Sequence, residues 1–144
     1  MHVDQIIEQA QEFVAYHHAD TDVTLDYSAA SIAQVDALLD DLHHRQVDPA
    51  DVGDLVVGAA SYVGEVIRRT LGGTWAAADE DGADSGAAIF NPRMIVAGSS
   101  LWPASKVCKR ILDGANDSLV LYYETTATIA AAMRAIAQEQ EQSA

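Results

Sequence analysis

Basic residues are scarce in this chain. Its 144 residues carry 8 Lys plus Arg against 22 Asp plus Glu, for a formal net charge of −14. The shortage is concentrated: residues 1–67 hold 13 acids and one base, Arg45, for a net of −12, whereas residues 68–144 hold 9 acids and 7 bases, for a net of −2. A surface of that sign repels phosphate backbones, so nucleic acid is not an expected ligand, whereas a basic protein would be attracted and steered.

Cysteine is nearly absent as well. The lone Cys108 excludes an internal disulfide and agrees with a reducing, cytoplasmic setting. No apolar run is long enough for a bilayer, because the best one, from Leu55 to Ile67, is interrupted by Glu65 and followed by Arg68 and Arg69. The opening MHVDQIIEQAQEF lacks the basic and apolar regions of a signal peptide. Signature motifs are missing too: no Gly-Lys-Ser/Thr phosphate loop, His-Glu-x-x-His, paired cysteines or nucleophile elbow. No cofactor or metal is therefore expected, no reaction is fixed, and the reading leans to a non-enzymatic protein.

What is present is helical periodicity. Ile6, Ile7, Ala10, Phe13, Val14 and His17 recur at three- and four-residue steps behind Asp4, predicting a helix over 4–18. Residues 22–26 read as a short strand or extended segment. Ser28 can cap a second helix with the stripe Ile32, Val35, Leu38, Leu39 and Leu42. Asp48-Pro49 starts a third, whose stripe runs from Val52 through Leu55, Val56, Ala59, Val63, Val66 and Ile67 to Leu71. Gly58 and Gly64 each cost that helix about 1 kcal/mol relative to alanine, which implies a closely packed neighbour, most simply another backbone. Gly72 and Gly73 permit a left-handed exit.

Residues 74–78, 87–90 and 93–97 read as strands, separated by an exposed acidic loop at 79–86 and a turn at Asn91-Pro92. Ser99 or Ser100 can cap a fourth helix with Pro103 in its first turn and Gly114 beyond its end. A last helix begins at Asn116, Asp117 or Ser118, with a stripe of Leu119, Tyr122, Tyr123, Thr126, Ile129, Ala130, Met133, Ile136 and Ala137. Strand is a rival over 119–125, and the tail 138–144 should fray. The expected architecture is a single α+β domain over 1–144: about five helices on a small, mainly antiparallel sheet of three or so strands, without internal repeats.

The run Tyr62-Val63-Gly64-Glu65-Val66-Ile67-Arg68-Arg69, followed by Leu71-Gly72-Gly73-Thr74-Trp75 and later by Arg110 and Gly114, resembles a family of uncharacterised bacterial domains. In that family a helix reading GaYlGE passes through a GG-W exit into a small sheet. The resemblance covers about half the chain, mainly residues 55–120. It implies a fold and transfers no catalytic residue, and residues 60–61 and the acidic insertion after Trp75 depart from its pattern.

Candidate sites rest on residue type. Glu65 is placed opposite the apolar stripe, with Arg68 and Arg69 at ion-pair spacing. A functional reading makes it an acid or base in a ligand or partner pocket lined by Arg68, Arg69, Trp75 and Trp102. Asp36, Asp40 and Asp41 are a candidate partner surface. His17-His18 and His43-His44 end two helices; adjacent helical positions diverge by about 100°, so a metal would need one ring from each pair plus Asp40 or Asp41. Cys108 reads as a buried inert thiol, and Lys106, Lys109 and Arg110 as the one basic cluster. Three functions follow: an acidic protein-binding module of immunity-like or accessory kind, a ligand-binding protein or enzyme centred on Glu65, and a structural homo-oligomer formed through the glycine-bearing helix.

Overall fold

A computed structural model describes residues 3–20, 24–76 and 91–142, with the side chains of 18–20 excepted. Five α-helices pack with a three-stranded antiparallel sheet in the order α1 (Val3–Asp20), α2 (Ile32–His44), α3 (Gly53–Leu71), β1 (Thr74–Ala76), β2 (Arg93–Val96), β3 (Ser99–Leu101), α4 (Pro103–Asp113) and α5 (Leu119–Gln142). The fold is α+β, as the pattern of elements predicts. The expected acidic loop at 79–86 and the strand at 87–90 lie outside the described residues.

The helix starts follow local chemistry. Ser28 accepts a hydrogen bond from the Ser31 N–H and opens a single 3₁₀ turn that runs into α2. Asp48 accepts from the Ala50 N–H, and Pro49 leads a second such turn into α3. Pro103 opens α4, Gly114 ends it with φ of 82°, and Gly72 ends α3 with φ of 79°. Ser118 Oγ accepts from the Leu121 N–H at the start of α5. Residues 119–125 are helix rather than strand, because α5 continues unbroken to Gln142 through the segment expected to fray.

Of the strand or extended segment expected over 22–26, residues 24–26 are described and pair in no sheet; the Thr24 N–H donates to the Gln34 side chain at 2.9 Å. One expected helix start needs correction. Ser99 and Ser100 do not cap α4 but belong to β3, paired with Val96 and Ile95. The hairpin between β2 and β3 turns on Ala97 (φ 49°) and Gly98 (φ 85°), a two-residue turn with positive φ at both positions that suits the twist of antiparallel strands. Helix α4 consequently has Trp102 at its N-cap position, without a side-chain cap.

Helix α3 is the axis of the core. It packs against α1 and α4, while Met94 and Val96 of β2 and Trp75 of β1 close over its other side. Every residue from Gly58 to Ile67 is buried. The two internal glycines are explained by rings rather than by another backbone. A Cβ on Gly58 would lie 2.9 Å from Phe13 Cδ1, and one on Gly64 only 2.0 Å from Trp75 Cη2. The aromatic rings occupy the volume a side chain would need, and their burial offsets the helix-propensity cost.

Candidate functional site

Glu65 sits in that buried stretch, so its placement on a polar face opposite the stripe is overturned: its side chain is 0% exposed. Trp75 covers it. The turn at Gly72 and Gly73 folds β1 back along α3, which seats the indole on Gly64 and points its Nε1–H at Glu65 Oε2, 3.0 Å away. Arg68, one turn on, closes the other side with a two-pronged contact, Nε to Oε2 at 2.7 Å and Nη2 to Oε1 at 2.9 Å. Arg69 adds a longer contact of 3.6 Å to Oε1. Burial pushes the Glu65 carboxyl up, but the hydrogen bonds from Arg68 and Trp75 and the charges of Arg68 and Arg69 outweigh it, holding the group below its ordinary value. The outcome is a satisfied carboxylate with no free proton to exchange near neutrality.

The cluster extends past the residues singled out in sequence. The Arg69 guanidinium lies 3.7 Å over the Tyr27 ring, and that ring packs on Tyr62 at 4.9 Å. Tyr62, fully buried, accepts the Tyr27 N–H at 2.9 Å and shares a 2.6 Å hydrogen bond with Ser31. Because the Ser31 hydroxyl donates to the Ser28 carbonyl, the Tyr62 hydroxyl is the donor toward Ser31. Tyr27 itself adopts φ of 63°, unusual for an aromatic residue, with its N–H held by Tyr62. Tyr27 and Ser31 were not legible as members, because they stand more than thirty positions from Tyr62 with no local pattern joining them. Trp102, the remaining predicted member, is 43% exposed at the start of α4, and no hydrogen bond, ion pair or ring contact joins it to Glu65 among the described residues.

A second charged cluster consumes two of the three aspartates predicted as a partner surface. Arg110 of α4, 3% exposed, donates to Asp36 Oδ1 at 2.9 Å and to Asp40 Oδ1 at 2.8 Å. Asp36 also accepts the Leu119 N–H at 2.9 Å, fixing the first turn of α5 from another helix. The Arg110 hydrogen bond lowers the Asp40 carboxyl below its usual range. Asp41 is exposed and, among the described residues, pairs with Arg45 at the end of its own helix. The basic cluster is thus divided: Arg110 faces inward, Lys106 pairs with Asp117 at 3.0 Å, and Lys109 is exposed. Cys108 is half-buried, and burial pushes its thiol up, away from the reactive thiolate.

The histidines do not converge. His43 Nδ1 bonds the Ile111 carbonyl at 2.9 Å, His44 Nδ1 lies 2.9 Å from the Asp40 carbonyl, and His17 is buried in contact with Phe13 and Tyr16. The His18 side chain lies outside the described residues. Among the described residues no group of three or more His, Cys, Asp or Glu is placed to hold a metal ion.

Besides a smaller concavity of about 590 Å³ beside His43, His44 and Leu112, an open groove of about 820 Å³ lies between the second half of α1 and the start of α3. Phe13 and Leu55 supply apolar wall, and Glu12, Asp51 and Asp54 line the groove with exposed carboxylates for which no ion pair or side-chain hydrogen bond is found among the described residues. Tyr16 stands at it with 65% exposure. Sequence reasoning missed this site because its acids come from two helices about forty positions apart. No described helix is long and apolar enough to cross a membrane. Compared with family models, with curated proteins and with solved structures, the chain matches none.

Proposed function

We propose that this chain is a non-enzymatic, acidic protein-binding module of the bacterial cytoplasm, immunity-like or accessory in kind, and related to the uncharacterised domain family that its Tyr62–Trp75 motif resembles. Its partner is a basic protein, and its recognition surface is the groove between α1 and α3 rather than Asp36, Asp40 and Asp41. The observation that carries this reading is the division of labour among acids. Glu65, Asp36 and Asp40 are spent on internal cations, whereas Glu12, Asp51 and Asp54 line a concave surface with their charge uncompensated by the described residues. Such a surface attracts cations, and the apolar wall between the carboxylates accepts an aliphatic side chain flanked by them.

The competing reading, a ligand pocket or active site around Glu65, Arg68 and Trp75, has less support. The Glu65 carboxylate is fully buried, already accepts hydrogen bonds from two residues, and lies beside an indole that fills the space over Gly64. Titrating isotopically labelled protein with an arginine-rich peptide containing one leucine tests the proposal by NMR. Shifts should concentrate at Glu12, Tyr16, Asp51 and Asp54, weaken with added salt, and disappear in the Glu12→Gln, Asp51→Asn, Asp54→Asn variant. Absent shifts, or shifts unchanged in that variant, would overturn it.

A further inference from the structure

The second half of α5 leaves the body of the protein. All residues from Ala131 to Gln142 are exposed, a rise of about 18 Å at helical geometry. Yet this half carries large apolar side chains: Ile129 is 45% exposed, Met133 44% and Ile136 50%. Their spacing is that of a coiled-coil seam. Ile129 and Ile136 are seven residues apart, and Met133 and Gln140 fall four positions after each, with the small Ala132 and Ala137 on the flanks; the same register upstream, at Tyr122, Thr126 and Ala130, packs on the body of the protein.

Charge decides what such a seam can meet. From Thr125 to Gln138 the one ionisable side chain is Arg134, and its guanidinium donates to the Leu71 carbonyl at the end of α3. A basic partner finds no carboxylate there to attract it. A second copy of this chain, at −14 overall, finds here an exposed apolar helix face with no carboxylate between Thr125 and Gln138 to repel it. Orientation follows from the tip. Parallel pairing would set Glu124, Glu139 and Glu141 each against its own copy, whereas antiparallel pairing centred on Met133 places Glu139 opposite Ala127 and leaves Glu141, opposite Thr125 and beside Glu124, as the remaining like-charge approach.

We infer that two copies of this chain pair antiparallel through the exposed half of α5, with Ile129, Met133 and Ile136 of each copy forming a two-fold seam. The homo-oligomer expected through α3 is thereby relocated, since Gly58 and Gly64 of α3 face Phe13 and Trp75 inside the protein.

Sedimentation equilibrium across a concentration series should give a mass of twice 15.3 kDa for the full chain. The Ile129→Glu, Ile136→Glu variant should sediment as a monomer while its helical circular dichroism is retained, because both positions are already half exposed in the single chain. In a Cys108→Ser background, Met133→Cys should cross-link to itself rapidly under mild oxidation, and Glu139→Cys should not. A monomer throughout the series, a dimer indifferent to the two glutamates, or self-cross-linking at position 139 in preference to 133 would overturn the proposal.

Discussion

Helices α3 and α5 carry apolar stripes of similar length and spacing but have opposite fates. The middle of α3 is buried on every side, Glu65 included, whereas the stripe of α5 is fully buried only at Leu119, Thr126 and Ala130, half-buried at Tyr122 and Tyr123, and exposed elsewhere. The difference lies in what stands between the apolar positions. In α3, Gly58 and Gly64 allow rings to lie directly on the helix, so neighbours approach from faces the stripe does not mark. In α5, no glycine thins the helix, and alanines make its surface smooth but unclaimed. An apolar stripe says that something covers a helix; glycines within it say how closely.

The sharpest way to break the contrast is to empty the α3 side. Trp75→Ala removes a 5%-exposed indole together with the Nε1–H that Glu65 accepts, and should cost about 3–5 kcal/mol, read from urea unfolding. Gly64→Ala fills the same space from the other direction and should cost about 1–3 kcal/mol, since the indole must shift from a Cβ otherwise 2.0 Å away.

Acid should expose the same cluster. The Glu65 carboxyl ionises at lower pH folded than unfolded, so its contribution is complete above the ordinary carboxylate value of 4.5 and is lost as pH falls through the folded value. Chemical denaturation across that window should show a steeper loss in the natural chain than in Glu65→Gln, which cannot titrate. At the opposite end of the scale stands Ile136→Ala on the exposed half of α5. As a single chain it should change stability by no more than about 0.5 kcal/mol, whereas Val66→Ala in α3, fully buried, should cost about 2 kcal/mol. Equal effects from these two truncations, measured on dilute monomer, would erase the distinction between the helices.

Much of the fold was legible because its signals are local. Ser28, Asp48-Pro49, Pro103, Gly72 and Gly114 mark helix ends through their own backbone and side-chain chemistry, and those boundaries were read within a few residues. The candidate site was legible only in part. Glu65, Arg68, Arg69 and Trp75 do meet, since a helix turn and a Gly-Gly exit bring them together at short range. That Glu65 is buried was not readable, because its cover arrives from the strand after the exit. Arg110 and Asp36 are 74 positions apart, and nothing local pairs them. Ser99-Ser100 misled for another reason: serine serves equally as a helix cap and as an edge-strand residue, and the Ala97-Gly98 turn before it decides which.

Asp36 has a further role in how this chain reaches its native state. The residue that receives the first N–H of α5 is borne on α2, 83 positions earlier, and is itself held by Arg110 of α4. Such a contact must wait for a long loop to close, and it is of little use until α2 and α4 have docked. The base of α5 is thus tied to the docking of α2 on α4, and loosening either helix releases the first turn of α5.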